Sequence, residues 1–132
     1  MIGTFGDIVF EVSDSAVKTF DDLKISRSAK YTEHAIAGRK GLLEFTGFNA
    51  ADMTMQIRLD ATLGVWPYPE LRKLRKMFSN TVPFYFVLNG EQIGDCMWVI
   101  ENYDINAERF DILGNLILAI VSVKLKEYVG EQ

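Results

Sequence analysis

Histidine and cysteine, which most often supply catalytic bases, nucleophiles and metal ligands, are almost absent from this chain. It has one histidine, His34, and one cysteine, Cys96. A single cysteine cannot form an internal disulfide, so the chain is compatible with a reducing compartment. One cysteine and one histidine cannot complete the four-ligand set of a usual structural zinc site. We therefore predict no catalytic residue, no metal site and no cofactor.

Long apolar runs and positive charge are also lacking. The longest apolar run, residues 116–121, is far too short to span a bilayer, and the first seven residues have no signal-peptide pattern. The net charge is −4, whereas general binding to nucleic acid requires a strong positive field. We therefore expect neither a membrane nor a nucleic acid among the partners.

The composition is that of an ordinary globular protein. The chain has 132 residues, of which 48% are hydrophobic and 24% are charged. This length can bury a stable core without disulfides or metals. We predict a single domain over residues 1–132.

Alternation of apolar and polar residues dominates the sequence and predicts strands with one buried face. It is clearest in residues 52–61, where Met53, Met55, Ile57 and Leu59 form the predicted core row. Along the last predicted strand, the row of side chains that alternates with the core row changes from aliphatic to polar. This change predicts that one end of the strand is buried on both faces and the other end on one face only. The predicted strands cover residues 8–13, 26–37, 42–47, 52–61, 82–88, 92–103, 105–110 and 116–128.

The hydrophobic period changes to that of a helix in residues 69–78. Leu71, Leu74, Met77 and Phe78 form one stripe, and Pro67 or Pro69 suits the first turn. This is the one helix that we predict. About eight strands joined by short turns then give an α+β fold, mainly an antiparallel β-sandwich or split barrel with one amphipathic helix.

Two glycine-containing turns and one acidic turn were considered as binding sites. Residues 38–41 and 89–90 each join two predicted strands, which favours hairpins. Residues 38–41 do not precede a helix, so they lack the helix dipole that helps a phosphate-binding loop to hold its ligand. Asp104, Glu108 and Asp111 surround a turn but lack the spacing of a calcium loop.

Three segments suit contacts with other proteins, and each also has a simpler interpretation. The polar hairpin of residues 26–40 can be a surface segment or can add to a neighbour's sheet, and the basic helix can be a solvated face or a docking surface for an acidic partner. The aromatic loop of residues 65–69 can anchor an interface or cover the core. The candidate interface residues are Arg27, Lys30, Tyr31, His34, Arg39, Lys40, Trp66, Tyr68, Arg72, Lys73, Arg75 and Lys76.

The order of motifs along nearly the whole chain resembles the phage P2-like tail protein U family. The opening MIGTFGDIVF and the segment GLLEFTG are similar to that family, as is the helix that begins PEL. The chain departs from the family in having two prolines around Tyr68. The matching segments are residues 1–10, 41–47, 57–61, 63–65, 69–77, 89–94, 110–114 and 125–129.

The resemblance implies a structural subunit of a contractile tail, in a phage or a tail-derived bacteriocin, without catalysis or a cofactor. It implies a baseplate position near the hub and tube end, with about six copies around the axis. The implied partners are tube, sheath, hub or LysM-type baseplate proteins, met first in the bacterial cytoplasm and then in the virion tail. The alternatives are a tail terminator at the other tube end and, from another class, a small-ligand-binding β-barrel.

Overall fold

The computed structural model of the chain describes residues 3–6, 8–12, 17–18, 20–94 and 96–128. Within these residues there are eleven strands, one α-helix and a short 3₁₀ turn at Ala61–Leu63. The elements are β1 (Gly3–Phe5), β2 (Ile8–Val12), β3 (Val17–Lys18), β4 (Phe20–Ser26), β5 (Ala29–His34), β6 (Leu42–Phe48), β7 (Asp52–Asp60), α1 (Pro67–Asn80), β8 (Phe86–Leu88), β9 (Glu91–Gln92), β10 (Trp98–Phe110) and β11 (Leu116–Glu127).

The strands form two large sheets and a separate hairpin. One sheet has the order β3-β2-β1-β8-β9, the second has the order β10-β11-β7-β4, and β5 pairs with β6 alone. Every pairing among the described strands is antiparallel. The predicted α+β class with mainly antiparallel strands and one helix is therefore confirmed. Over the described residues the two large sheets are open and do not close into a barrel.

The four-stranded sheet carries the clearest predicted pattern. Met53, Met55, Ile57 and Leu59 are buried, as the alternation predicted, and the residues between them are exposed. The neighbouring strand β11 places Val121 opposite Ile57, and it shows the predicted change from a two-sided to a one-sided buried strand. Burial of one row of side chains opposite an exposed or half-buried row explains why these two strands were predictable.

One buried cluster joins both large sheets and the helix. Its largest fully buried side chains are aromatic and include Trp98, Phe5, Phe10 and Phe86. The indole N–H of Trp98 donates to the carbonyl oxygen of Ile93 at 2.9 Å, so burying this ring leaves no polar group unpaired.

Helix α1 spans Pro67–Asn80 and is slightly longer at both ends than predicted. Leu74 and Met77 are buried, while the ring of Phe78 lies 5.3 Å from that of Tyr103 in an edge-to-face contact. Pro67 occupies the first helical position, where its missing N–H costs little. In the described part of the chain, no helix combines the length and apolar content needed to cross a membrane.

Three predicted strand boundaries were wrong. The predicted break at residue 104 does not exist, because β10 runs without interruption through bulges that keep it paired with β11. The strand predicted for residues 92–103 does not start at residue 92, because Gln92 is the last residue of β9 and β10 begins at Trp98. The strand predicted from residue 82 begins only at Phe86, and Phe84 makes a single bridge with Trp98 instead.

Three strands were not predicted, and another begins later than expected. Strands β1 and β3 are only three and two residues long, and in β4 Asp22 sits at a bulge with a positive φ of 54°. The polar strand predicted from residue 26 begins at Ala29, since Ser26 belongs to β4. Short edge strands and bulges interrupt the alternation on which the prediction depended.

We expect Gly6→Ala to destabilise the fold far more than Gly38→Ala. Both glycines have positive φ, 58° and 73°, which costs an L residue about 1–2 kcal/mol. A Cβ on Gly6 would also lie 2.7 Å from Cδ1 of Phe84 and 2.8 Å from Cε of Met77, whereas one on Gly38 would meet nothing within 4 Å. The overlap adds about 1–3 kcal/mol to the cost at Gly6. Urea unfolding of both variants measures the difference, and equal losses would contradict the packing described around Gly6.

Candidate assembly surfaces

The hairpin of β5 and β6, residues 29–48, pairs with neither large sheet, and we call it the arm. Its base is closed by two hydrogen bonds from Asn49 to Ser28. The backbone N–H of Asn49 donates to the carbonyl oxygen at 3.1 Å, and its side-chain amide donates to the hydroxyl at 2.8 Å. Most side chains of the arm are exposed. The arm is thus a module attached to the core through one well-defined closure.

One side of the arm is apolar, and we call it the aromatic face. The register places Tyr31 opposite Phe45, and a bulge after Lys30 brings Phe48 to the same side. The Tyr31 and Phe45 rings are 5.7 Å apart and the Phe45 and Phe48 rings are 4.9 Å apart, both edge to face. With Leu43, these side chains are between 50% and 79% exposed.

Exposure of the aromatic face is unfavourable in an isolated chain. A two-stranded hairpin is marginally stable in water by itself, and contiguous apolar surface usually marks a contact with another molecule. Two large sheets of the same chain are available, yet the arm pairs with neither of them. The aromatic face is therefore the strongest candidate assembly surface among the described residues.

The opposite side of the arm is polar. His34 lies across the hairpin from Glu44, with 2.6 Å between Nε2 and Oε2, and both side chains are more than half exposed. Such an exposed pair contributes little to stability. The predicted residues Lys30, Arg39 and Lys40 are exposed and have no ion-pair partner among the described residues.

At the base of the arm, a hollow of about 540 Å³ opens between the arm and the core. The predicted residue Arg27 lines it and lies 3.6 Å from the carboxylate of Glu127. Cys96 lines the same hollow and is half-buried. The hollow can therefore receive a side chain from a neighbouring protein beside the aromatic face.

The aromatic segment of residues 65–69 runs into the first turn of α1. Pro67 is buried against the core, while Trp66 and Tyr68 on either side of it are 54% and 46% exposed. The two exposed rings are available for contacts at low entropic cost because the prolines restrict the loop.

The basic residues of the helix form a second candidate surface. Arg72, Lys73, Arg75 and Lys76 are all exposed on α1. Lys73 pairs with Glu70 at 3.5 Å, a spacing of three residues along the helix. The other three have no ion-pair partner in the described part of the chain. The predicted interface residues thus fall into two groups, one on or beside the arm and one on or beside α1.

The turn between β10 and β11, residues 111–115, lies where the sequence predicts it, but its apolar side chains were not among the predicted interface residues. Ile112 is fully exposed, and Leu113 and Phe110 are mostly exposed. One carboxylate oxygen of Asp111 accepts the backbone N–H groups of Leu113 and Asn115, both at 2.8 Å. Two aliphatic residues between turn-forming residues were the available signal, because such turns are usually polar.

The pKa of Asp111 is held below its ordinary value, chiefly because the side chain of Asn115 donates to it at 2.9 Å. The same carboxylate had been considered as part of a cation site with Asp104 and Glu108. Its oxygens are already occupied by the turn. Within the described residues, no three His, Cys, Asp or Glu side chains come together as a metal site. The carboxylate of Asp111 therefore has a local structural role, which is to fix the turn.

Between Ile8, Leu74 and Val121 the core leaves a gap of only about 10 Å³, which is close to the minimum for one water. The two large sheets, open over the described residues, argue against the β-barrel of the small-ligand-binding alternative.

Comparison with known proteins agrees with the motif order. The model of the Phage P2 GpU family matches residues 6–130, almost the whole of the 132-residue chain. A comparison with curated proteins gave no match. The match covers the four-stranded sheet, the arm, α1 and all of the five-stranded sheet except β1, so it includes every candidate surface described above. The chain therefore belongs to the Phage P2 GpU family, a family of phage tail structural proteins.

Proposed function

We propose that the chain is a baseplate component of a contractile tail, placed near the hub and tube end and needed for tail assembly. Membership of the Phage P2 GpU family supports the tail role. The baseplate position, the contractile type of tail and the six copies around the axis are proposed on the motif resemblance. The single structural observation that supports a role in assembly is the uncovered aromatic face of the arm.

The described residues supply contacts of the kinds that an assembly subunit needs. The aromatic face offers apolar area that is buried only when a neighbour covers it. The basic side chains of α1 offer long-range attraction to an acidic neighbour, which accelerates correct association. We propose that tube, sheath, hub or LysM-type baseplate proteins provide these neighbours.

A role in contact rather than catalysis is consistent with the polar groups in the described structure. The one histidine pairs with Glu44 on an exposed strand, and Cys96 lines an open hollow without a histidine beside it. A general base or an activated nucleophile would need a partner within hydrogen-bond reach. We therefore propose that the chain acts through its surfaces after assembly in the cytoplasm and remains in the finished tail.

The proposal is tested by producing tails from a complete set of tail genes with and without this chain. Without the chain, we expect no complete tails by negative-stain electron microscopy. With a chain that carries an added tag at its last residue, cryo-electron microscopy should locate the tag as six equivalent densities at the baseplate end.

Two results would contradict this function. Complete tails formed without the chain would remove the structural role in assembly. Tag density at the opposite end of the tube would replace the baseplate proposal with a terminator. An untagged chain serves as the control for any effect of the tag on tail yield.

A further inference from the structure

The long edge of β10 is a second uncovered surface, and it is acidic. One side of β10 pairs with β11. Among the described residues the backbone of its other edge pairs only with Phe84, at Trp98, while the ring of Tyr103 packs on α1. Backbone groups on an unpaired edge form a template for another strand. We call residues 99–115, which comprise the rest of β10 and the following turn, the β10 edge.

The β10 edge carries negative charge and apolar side chains together. It has four acidic residues and one basic residue, Arg109, which gives a net charge of −3. Lys124 of the adjacent strand lies 3.9 Å from Glu101 and offsets part of this charge. Asp104 and Glu108 are exposed, as are the apolar side chains of Phe110 and Ile112.

The arm has the opposite character. Its three basic residues outnumber its two acidic residues, Glu33 and Glu44, and Glu44 is already paired with His34. Arg39 and Lys40 are adjacent in the loop at the end of the arm. The aromatic face lies on the same hairpin. Thus one chain carries two uncovered apolar surfaces, one with a basic end and one with an acidic edge.

We propose that the arm of one copy of this chain binds the β10 edge of the next copy. An arm strand would extend the four-stranded sheet by backbone hydrogen bonds. The aromatic face would then cover apolar side chains of the β10 edge, with Arg39 and Lys40 near Asp104 and Glu108. The binding partner is a second copy of the chain, because the basic end of the arm and the acidic β10 edge have complementary charges. Every copy carries both surfaces.

This contact joins two different surfaces, so it is heterologous, and repeated rotation can close it into a ring. The inference rests on the proposed function, since it names the neighbour that covers the arm in the tail. Its test is independent of that function, because it uses the purified full chain rather than assembled particles.

The experiment measures self-association by sedimentation velocity in low and high salt. The arm variant is Arg39→Glu with Lys40→Glu, and the edge variant is Asp104→Lys with Glu108→Lys. We expect the unmodified chain to associate, more weakly in high salt because exposed charges are screened. Each variant alone should associate at least about tenfold more weakly, and an equimolar mixture of the two should recover association.

The matched control is Lys24→Glu with Arg58→Glu, which makes the same charge change at exposed positions of β4 and β7, outside both proposed surfaces, and should leave self-association unaltered. If the edge variant associates like the unmodified chain, the contact is arm to arm and the proposal is wrong. It is also wrong if the unmodified chain remains monomeric at high concentration, or if the mixture fails to recover association. None of these results would contradict the proposed role in the tail, which is tested separately by the position of the tag in the particle.

Discussion

Replacing residues 29–48 by an Asn-Gly turn is expected to leave the core folded and to keep the chain out of tails. The carbonyl oxygen of Ser28 and the backbone N–H of Asn49 are 3.1 Å apart, so a two-residue turn can close the chain there. The core cluster includes no residue of the arm. We expect the free energy of unfolding to change by less than about 1 kcal/mol, within the range of ordinary surface changes, while complementation of tail assembly falls to background.

A finer pair of variants separates the aromatic face from the arm as a whole. Phe45→Ser with Phe48→Ser keeps the hairpin length and should also reduce tail assembly, since it removes the apolar area available to a neighbour. Tyr85→Ser is the control for loss of an exposed aromatic ring elsewhere, since Tyr85 is 50% exposed and lies outside the candidate surfaces. Normal tail yield with the arm replaced would show that the arm has no part in assembly.

Replacing Trp98 by alanine is expected to destabilise the chain by about 3–5 kcal/mol, the usual cost of removing a large buried side chain. Trp98 is 0% exposed and begins β10, where its backbone N–H donates to the carbonyl oxygen of Phe84 at 2.7 Å. Its ring packs in the cluster that joins the two large sheets. Urea unfolding measures the loss, which is a large share of the 5–15 kcal/mol typical of a domain.

Two further variants locate the origin of that loss. Trp98→Phe keeps most of the apolar volume but leaves the carbonyl oxygen of Ile93 without its donor, and we expect about 1–3 kcal/mol. Trp66→Ala removes an exposed indole and should stay within about 0.5 kcal/mol. A loss below about 1 kcal/mol for Trp98→Ala would mean that this ring does not hold the sheets together.

Strands buried between neighbours could be predicted from the sequence because burial itself produces the pattern. The alternation in β7 and the change of the outer row in β11 both follow from which side chains face the core. The helix was predictable for the same reason, since Leu74 and Met77 face the core at helical spacing. The unbroken course of β10 was not predictable, because bulges shift its alternation without ending the strand.

The candidate surfaces were predictable only in part. Charged residues such as Arg72 and Arg39 are exposed, as the sequence indicated. The aromatic face was missed because a period of two shows that Leu43 and Phe45 share a side of β6, yet it does not show whether that side meets the core. Only the register with β5 and the separation of the arm from both sheets reveal that no part of the described chain covers it.

The position of β11 between β10 and β7 makes the folding of this sheet depend on the order of synthesis. Strand β7 is synthesised long before β11. Strand β11, which pairs with both β7 and β10, is the last strand of that sheet to emerge. Pairings between distant parts of a chain form slowly, and an unpaired hydrophobic strand can associate with other chains meanwhile. Ribosome-bound chains that lack residues 116–127 should therefore require chaperone protection, and release of completed chains should set the pace at which subunits become available to growing tails.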